Sequence, residues 1–181
     1  MDYRFAIRCW QDKAGSDNAK ADVYVGSTKV VDEVEITATS AGSPQIIAWE
    51  STGLTAPASD TTVAIKVVLT NDYYVDADTD RNIHINGIGY ITKAADNSYK
   101  ESAFNTDDPP VKTSETAVTD FTDFSKYETE VVPTAVAGDQ LPDGWWAGRG
   151  NTDFEIITVY GETSGVTMTT PILKKTCLDT E

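Results

Sequence analysis

Alternation with a period of two constrains this chain more than any other feature, and it recurs through the first 92 residues. In "YRFAIRCW", Tyr3, Phe5, Ile7 and Cys9 fall on one face and Arg4, Ala6, Arg8 and Trp10 on the other. Such alternation puts one set of side chains into a core only if the backbone is extended. Further runs of this kind are "ADVYVG" (21–26), "KVVDEVEITAT" (29–39), "QIIAWE" (45–50), "TVAIKVVLT" (62–70) and "NIHINGIGYIT" (82–92). They are rich in the β-branched and aromatic residues that suit a pleated, half-buried surface. Between them stand turn-forming clusters, "DKAGSDN", "SAGSP" and "TGLTAPASD". No comparable helical period and no internal repeat is present. The pattern predicts an all-β fold, an antiparallel β-sandwich of jelly-roll type.

The second half has a different texture. From Lys93 to about Thr119 the chain is polar and contains Pro109 and Pro110, which lack backbone donors and restrict the residues before them. This reads as a loop or arm. Later, "DFEIITVYGETSGVTMTTPI" (153–172) sets Ile156, Thr158 and Tyr160 against Ile157 and Val159, turns at Glu162 to Gly165, and returns from Val166 to Ile172. It predicts a C-terminal β-hairpin at the end of an extended connector over 94–152. The chain thus divides into a sandwich over 1–93 and a connector plus hairpin over 94–181. The hairpin either completes the sandwich or docks on a neighbouring subunit.

A formal charge of -15 argues against nucleic acid as a partner, because phosphate backbones are held by Lys and Arg. A cation, a neutral glycan or a basic protein surface fits better. No apolar run approaches the roughly 20 residues of a membrane-spanning helix, and the N-terminus lacks a basic stretch followed by an apolar one. The expectation is no membrane insertion and no signal peptide, for a protein made in the cytoplasm and placed in a virion or extracellular assembly. Cys9 and Cys177 lie near opposite ends of the chain, and sequence leaves open whether their sulfurs meet.

One segment does not read as an ordinary strand connection. "LTNDYYVDADTDRNIHINGI" (69–88) carries Asp72, Asp76, Asp78 and Asp80 between two strands. Like charges this close repel, so a folded loop needs a compensating cation or basic group, and Arg81 alone does not balance the four. Asp76, Asp78 and Asp80 have the spacing that opens an EF-hand loop, but the required glycine and the closing glutamate are replaced by Arg81 and Gly87, and the flanks are strands. What remains is a loop of hard oxygen ligands, for which Ca²⁺ is the natural candidate; the alternative is a solvated acidic turn.

The residues "VVLTNDYY" followed by "DRNIHINGI" resemble a segment of the calcium-dependent xylan-binding carbohydrate-binding modules. There a strand ending Thr-Asn-Asp leads through an acidic loop to Asp-Arg-Asn and a closing apolar strand. The resemblance covers 4–92 in strand pattern and is specific over 69–92. It implies a jelly-roll sandwich whose loop-bound Ca²⁺ takes vicinal sugar hydroxyls as ligands. It further implies that Asp72, Asp80 and Asn82, at the matching positions, are ligands or loop-fixing residues, with Asp76 and Asp78 in the variable part of the loop. Asn86-Gly87 stands where an Asp-Tyr pair is usual. Tyr73 and Tyr74 flank the loop, where either an aromatic face packs on a sugar ring or one ring points into the core and the other is a plain surface residue; with Asn71 they are the candidate contacts to a polysaccharide or cell-surface glycan.

Other residues carry weaker signals. Trp145 and Trp146 in "PDGWWAGRGN" suit a sugar platform, a partner anchor or core packing, while Trp10 and Trp49 fall on predicted strands and read as core. His84 is the only histidine; no G-x-S-x-G motif accompanies it, and it reads as a satisfied strand histidine. No catalytic residue is assigned, and the chain is expected not to be an enzyme. Two functions fit: a non-catalytic, calcium-dependent glycan-binding module, or a phage virion component such as a head decoration, fibre or tail protein that uses the jelly roll as a building block and contacts other subunits.

Overall fold

A computed structural model describes residues 3–51, 63–94, 96–104, 112–130, 148–149, 156–161 and 165–169. In chain order the strands are β1 (Tyr3–Asp12), β2 (Ala19–Val25), β3 (Thr28–Ile36), β4 (Gln45–Ser51), β5 (Ala64–Leu69), β6 (Tyr74–Asp76) and β7 (Thr79–Asp80). They continue with β8 (Asn82–Lys93), β9 (Tyr99–Phe104), β10 (Lys112–Ala117), β11 (Glu128–Glu130), β12 (Gly148–Arg149), β13 (Ile157–Tyr160) and β14 (Val166–Thr169). The fold is all-β. Each run of alternating residues in the first 92 became a strand, because only that backbone buries every second side chain.

Two antiparallel sheets face each other. The larger runs β10–β9–β8–β1–β4, and the smaller runs β14–β5–β2–β3. Their inner faces share one core, in which Tyr3, Phe5, Ile7, Trp49, Ile83 and Ile85 of the larger sheet meet Val23, Ile36, Ile65 and Val67 of the smaller. Fully burying side chains of this size contributes about 1.5–3 kcal/mol each, which makes the inter-sheet layer the main source of stability. Cys9 lies in this layer with a free thiol, which burial pushes up to about 12. Its candidate partner Cys177 lies outside the described residues.

β1 pairs with β8 from Tyr3 opposite Thr92 to Asp12 opposite Asn82. The register shifts once: Ile7 faces Ile88 but Cys9 faces Ile85, so Asn86 and Gly87 together oppose Arg8. This bulge keeps Ile83 and Ile85 before it and Ile88 after it pointing inward. It also accounts for the unusual Asn86-Gly87 pair, since a methyl group on Gly87 would sit 2.8 Å from the ring of Phe124. Phe124 belongs to a second cluster on the outer face of the larger sheet, with Ala6, Ile91, Tyr99, Val118 and Tyr127.

Three finer expectations differ from the structure. The region read as a connector contains β9 and β10, a hairpin that extends the larger sheet, and β11, which meets Tyr90 of β8. Their mixed polar sequences hid them because β10 lies at the sheet edge with exposed side chains at 113–117. The C-terminal strands do not form a hairpin with each other. β13 pairs with the first residues of β8 in the larger sheet, whereas β14 pairs with β5 in the smaller. Each thereby pairs with a strand that has a buried apolar face, and Val159 and Met168 enter the common core. Trp49 is core as expected, but Trp10 is buried on the outer face, its ring 5.3 Å from that of His84.

A chain ended after Thr92 lacks β13 and β14, and we expect it to lose cooperative thermal unfolding. A sharp transition in that fragment would show that the first 92 residues suffice. On the smaller sheet, buried Asp22 accepts hydrogen bonds from Lys29 Nζ (2.6 Å) and from the backbone N–H of Glu33 (2.9 Å), whose φ is 44°. Burial alone raises its pKa, but the Lys29 bond and the other donors outweigh it and hold the carboxyl below its ordinary 3.8. Stability from a depressed carboxyl is complete above the unfolded-state value and is lost as pH falls through the folded one. Asp22→Asn should therefore cost about 1–3 kcal/mol in urea unfolding at neutral pH, with the difference from the parent shrinking well below pH 3.8.

Candidate functional site

The acidic segment folds as a small hairpin standing off the end of the sandwich. Tyr74 of β6 pairs with Asp80 of β7, and Asp76 with Thr79, so Ala77 and Asp78 form the turn. Asp76 Oδ1 accepts from the Asp78 backbone N–H at 3.1 Å, the local bond that makes aspartate favourable in turns. The hairpin belongs to neither large sheet, so its position depends on what holds its base.

Two residues do this. Arg81 is buried, and its guanidinium donates to the backbone carbonyls of Asn71 and, at 2.6 Å, of Ala14, while the ring of Tyr73 lies 5.5 Å from it. Its backbone N–H bonds to Tyr73 O at 2.9 Å. The side-chain amide of Asn71 is engaged at both ends: Oδ1 accepts from Lys20 N at 2.7 Å, and Nδ2 donates to Asn18 O at 2.9 Å. The end of β5 is thus tied to the β1–β2 loop, and the hairpin to both. Asn71 is a positioning residue here. The positive charge of Arg81, considered above as compensation for the aspartates, is turned inward onto carbonyls.

The other predicted site residues separate into a base and a tip. At the base, Asn82 Nδ2 donates to Asp80 Oδ2 at 3.0 Å, while Asn82 Oδ1 is buried with no hydrogen-bond partner. Also at the base, the Asp72 side chain lies against Gly161, where a methyl group would overlap its Cβ and carboxylate. Gly161 follows Tyr160, which pairs with Asn82 across the ladder. Asp76 and Asp78 are exposed at the tip. Among the described residues no three Asp, Glu, His or Cys side chains gather into a metal-sized cluster. The base instead offers mixed oxygen donors, and an amide oxygen buried without a donor suits a hard cation such as Ca²⁺. Asp72, Asp80 and Asn82 are the residues that would hold one.

The exposed large hydrophobic side chains among the described residues are Tyr73, Tyr74, Val75, Ile156 and Tyr160. Three belong to the hairpin strand or its lead-in; Tyr160 ends β13 and Ile156 directly precedes that strand. Trp145 and Trp146 lie outside the described residues.

Next to the hairpin, the outer face of β1, β8 and β13 carries two aligned rows: Asp12, Asn82 and Tyr160, then Trp10, His84 and Thr158. His84 Nε2 is 2.7 Å from Asp12 Oδ2 and its Nδ1 is 3.0 Å from Thr158 Oγ1. The lone histidine therefore links three strands across the larger sheet. Its partners went unassigned from sequence, although the period-two pattern of β1 and β13 places Asp12 and Thr158 on an outward face.

No family model, curated protein or solved structure matches the chain. The hairpin's seat is open to a direct check. Asn71→Ala leaves Lys20 N and Asn18 O without their partners and should cost about 1–3 kcal/mol, and Arg81→Ala about 2–4 kcal/mol, both read from urea unfolding. Parent-like stability in either variant would mean that the hairpin is held by something else.

Proposed function

We propose that this protein is a non-catalytic glycan-binding module that works through calcium at the acidic hairpin, on a sandwich of jelly-roll type. The observation that supports it most is the division of labour within 69–82. Arg81 and Asn71 fix the hairpin from beneath through backbone groups, while Asp72, Asp76 and Asp78 and the rings of Tyr73 and Tyr74 remain exposed. A loop built only to connect β5 to β8 has no need of so firm a base under so many unneutralised carboxylates.

In this reading Asp72, Asp80 and Asn82 hold the ion, and bound calcium supplies open coordination positions for two adjacent sugar hydroxyls. Tyr73 and Tyr74 offer aromatic faces to the C–H side of the sugar, and Tyr73 is kept in place by Gly15 and Arg81 beneath its ring. Selectivity then follows hydroxyl stereochemistry at a shallow surface. The same surface is compatible with display on a virion or fibre, where the exposed edge strand β10 is available to a neighbouring subunit.

A ligand that binds only the folded state raises the melting temperature. Calcium at about a hundred times its Kd adds about 2.7 kcal/mol, on the order of 5–10 °C for a chain of this size. We expect that rise in calcium, its loss with excess chelator, and no calcium response in the Asp72→Ala, Asp80→Ala double variant. Identical melting with calcium and with chelator would remove the metal from the proposal.

A further inference from the structure

We propose that the outer face of the larger sheet carries a second binding site, centred on Arg8 and Asn86, for the C-terminal carboxylate of a peptide chain. Acidic residues outnumber Lys and Arg by 29 to 14, so a basic side chain readily finds an acid. Arg4 does so with Glu50 at 3.5 Å, and its guanidinium lies 3.9 Å from the ring centroid of Phe121. Arg81 donates to two backbone carbonyls. Half-buried Arg8 has no acid, hydrogen bond or ring contact among the described residues.

Arg8 stands opposite the bulge in the ladder between β1 and β8. Asn86 follows the inward-facing Ile85, so alternation turns it to the outer face with Arg8. The Oδ1 of Asn86 is buried with no hydrogen-bond partner. A buried acceptor without a donor is costly, and so is a guanidinium partly withdrawn from water with no anion beside it. The two unmet groups hold opposing positions of one ladder, yet they do not bond to each other. A peptide C-terminus supplies what both lack. Its two carboxylate oxygens match the guanidinium fork, and the backbone N–H of the same residue is a donor for Asn86 Oδ1. The last side chain meets apolar neighbours: Trp10 is the next outward residue on β1, Ile46 pairs with Arg8 from β4, and the Phe124 ring covers Gly87. An inorganic anion brings no such donor, and a neutral sugar brings no charge.

The test follows the isotope-labelled full chain by NMR while acetyl-glycyl-glycyl-valine is added, either with its free carboxylate or as the C-terminal amide. The acid should give saturable shifts at the Gly87 N–H and the Asn86 side-chain amide, in chelator as in calcium. The amide should bind about tenfold more weakly or worse. Arg8→Gln should weaken binding of the acid by a similar factor. Asn86→Asp, which gives Arg8 a partner and sets a like charge against the ligand, should abolish it. The comparison of the two peptides needs only the parent chain, so it decides the matter even where a variant fails to fold. Equal binding of acid and amide, no saturable shift with the acid, or the same shifts produced by acetate alone would each overturn the proposal. So would binding of the acid that a folded Arg8→Gln variant leaves unchanged.

Discussion

The antiparallel ladder between β1 and β8 is the constraint on which the rest of the structure depends. It fixes which side chains of the two strands face the smaller sheet, and a slip of one residue would turn Ile83 and Ile85 outward. The bulge at Asn86 and Gly87 lets the ladder keep Ile83, Ile85 and Ile88 inward across a single irregularity. The other edge of β8 is shared along its length: β13 takes 82–85, β11 meets Tyr90, and β9 takes the end at Thr92 and Lys93. Strands distant in sequence are therefore organised by one long template.

The candidate site is a consequence of how that template begins. Asn82 opens β8, and the residue before it, Arg81, buries its charge at the mouth of the sandwich. An ion in a low-dielectric interior is costly unless hydrogen-bonded, and here the carbonyls of Asn71 and Ala14 accept from it. Those carbonyls come from the loops after β5 and β1, so the bonds to the two terminal guanidinium nitrogens, which leave the buried Nε without a partner, also tie the two loops together at one end of the fold. The hairpin beyond it needs no core of its own. Its carboxylates and tyrosines stay at the surface while the backbone beneath them is fixed, which is the preorganisation that a binding surface benefits from.

Much of this fold was legible in the sequence. Six strands of the first 92 residues could be read from alternation because each has a long apolar face, as in Tyr3, Phe5, Ile7 and Cys9. β9, β10 and β11 could not, because edge and short strands bury too little to impose a pattern; β10 offers only "KTSETA". The strands over 157–169 were recognisable, but their partners were not. Adjacency in sequence suggested a hairpin, whereas burial of Val159 and Met168 between the sheets favoured two different ladders. At the site, the acidic residues and tyrosines were visible as types. The inward turn of Arg81, the backbone bonds of Asn71 and the contact between Asp72 and Gly161 depend on loops far apart in the chain, and no local spacing encodes them.

A cation held at the base of the hairpin beside its tyrosines can be detected by tyrosine-sensitised terbium luminescence. Terbium substitutes for calcium and emits strongly only when an excited aromatic ring is close. The parent chain should give sensitised emission that calcium displaces, and an Asp80→Asn, Asp72→Asn variant that melts as the parent does without metal should lose it. Absence of sensitised emission, or emission unchanged in that variant, would contradict a metal site formed by these residues.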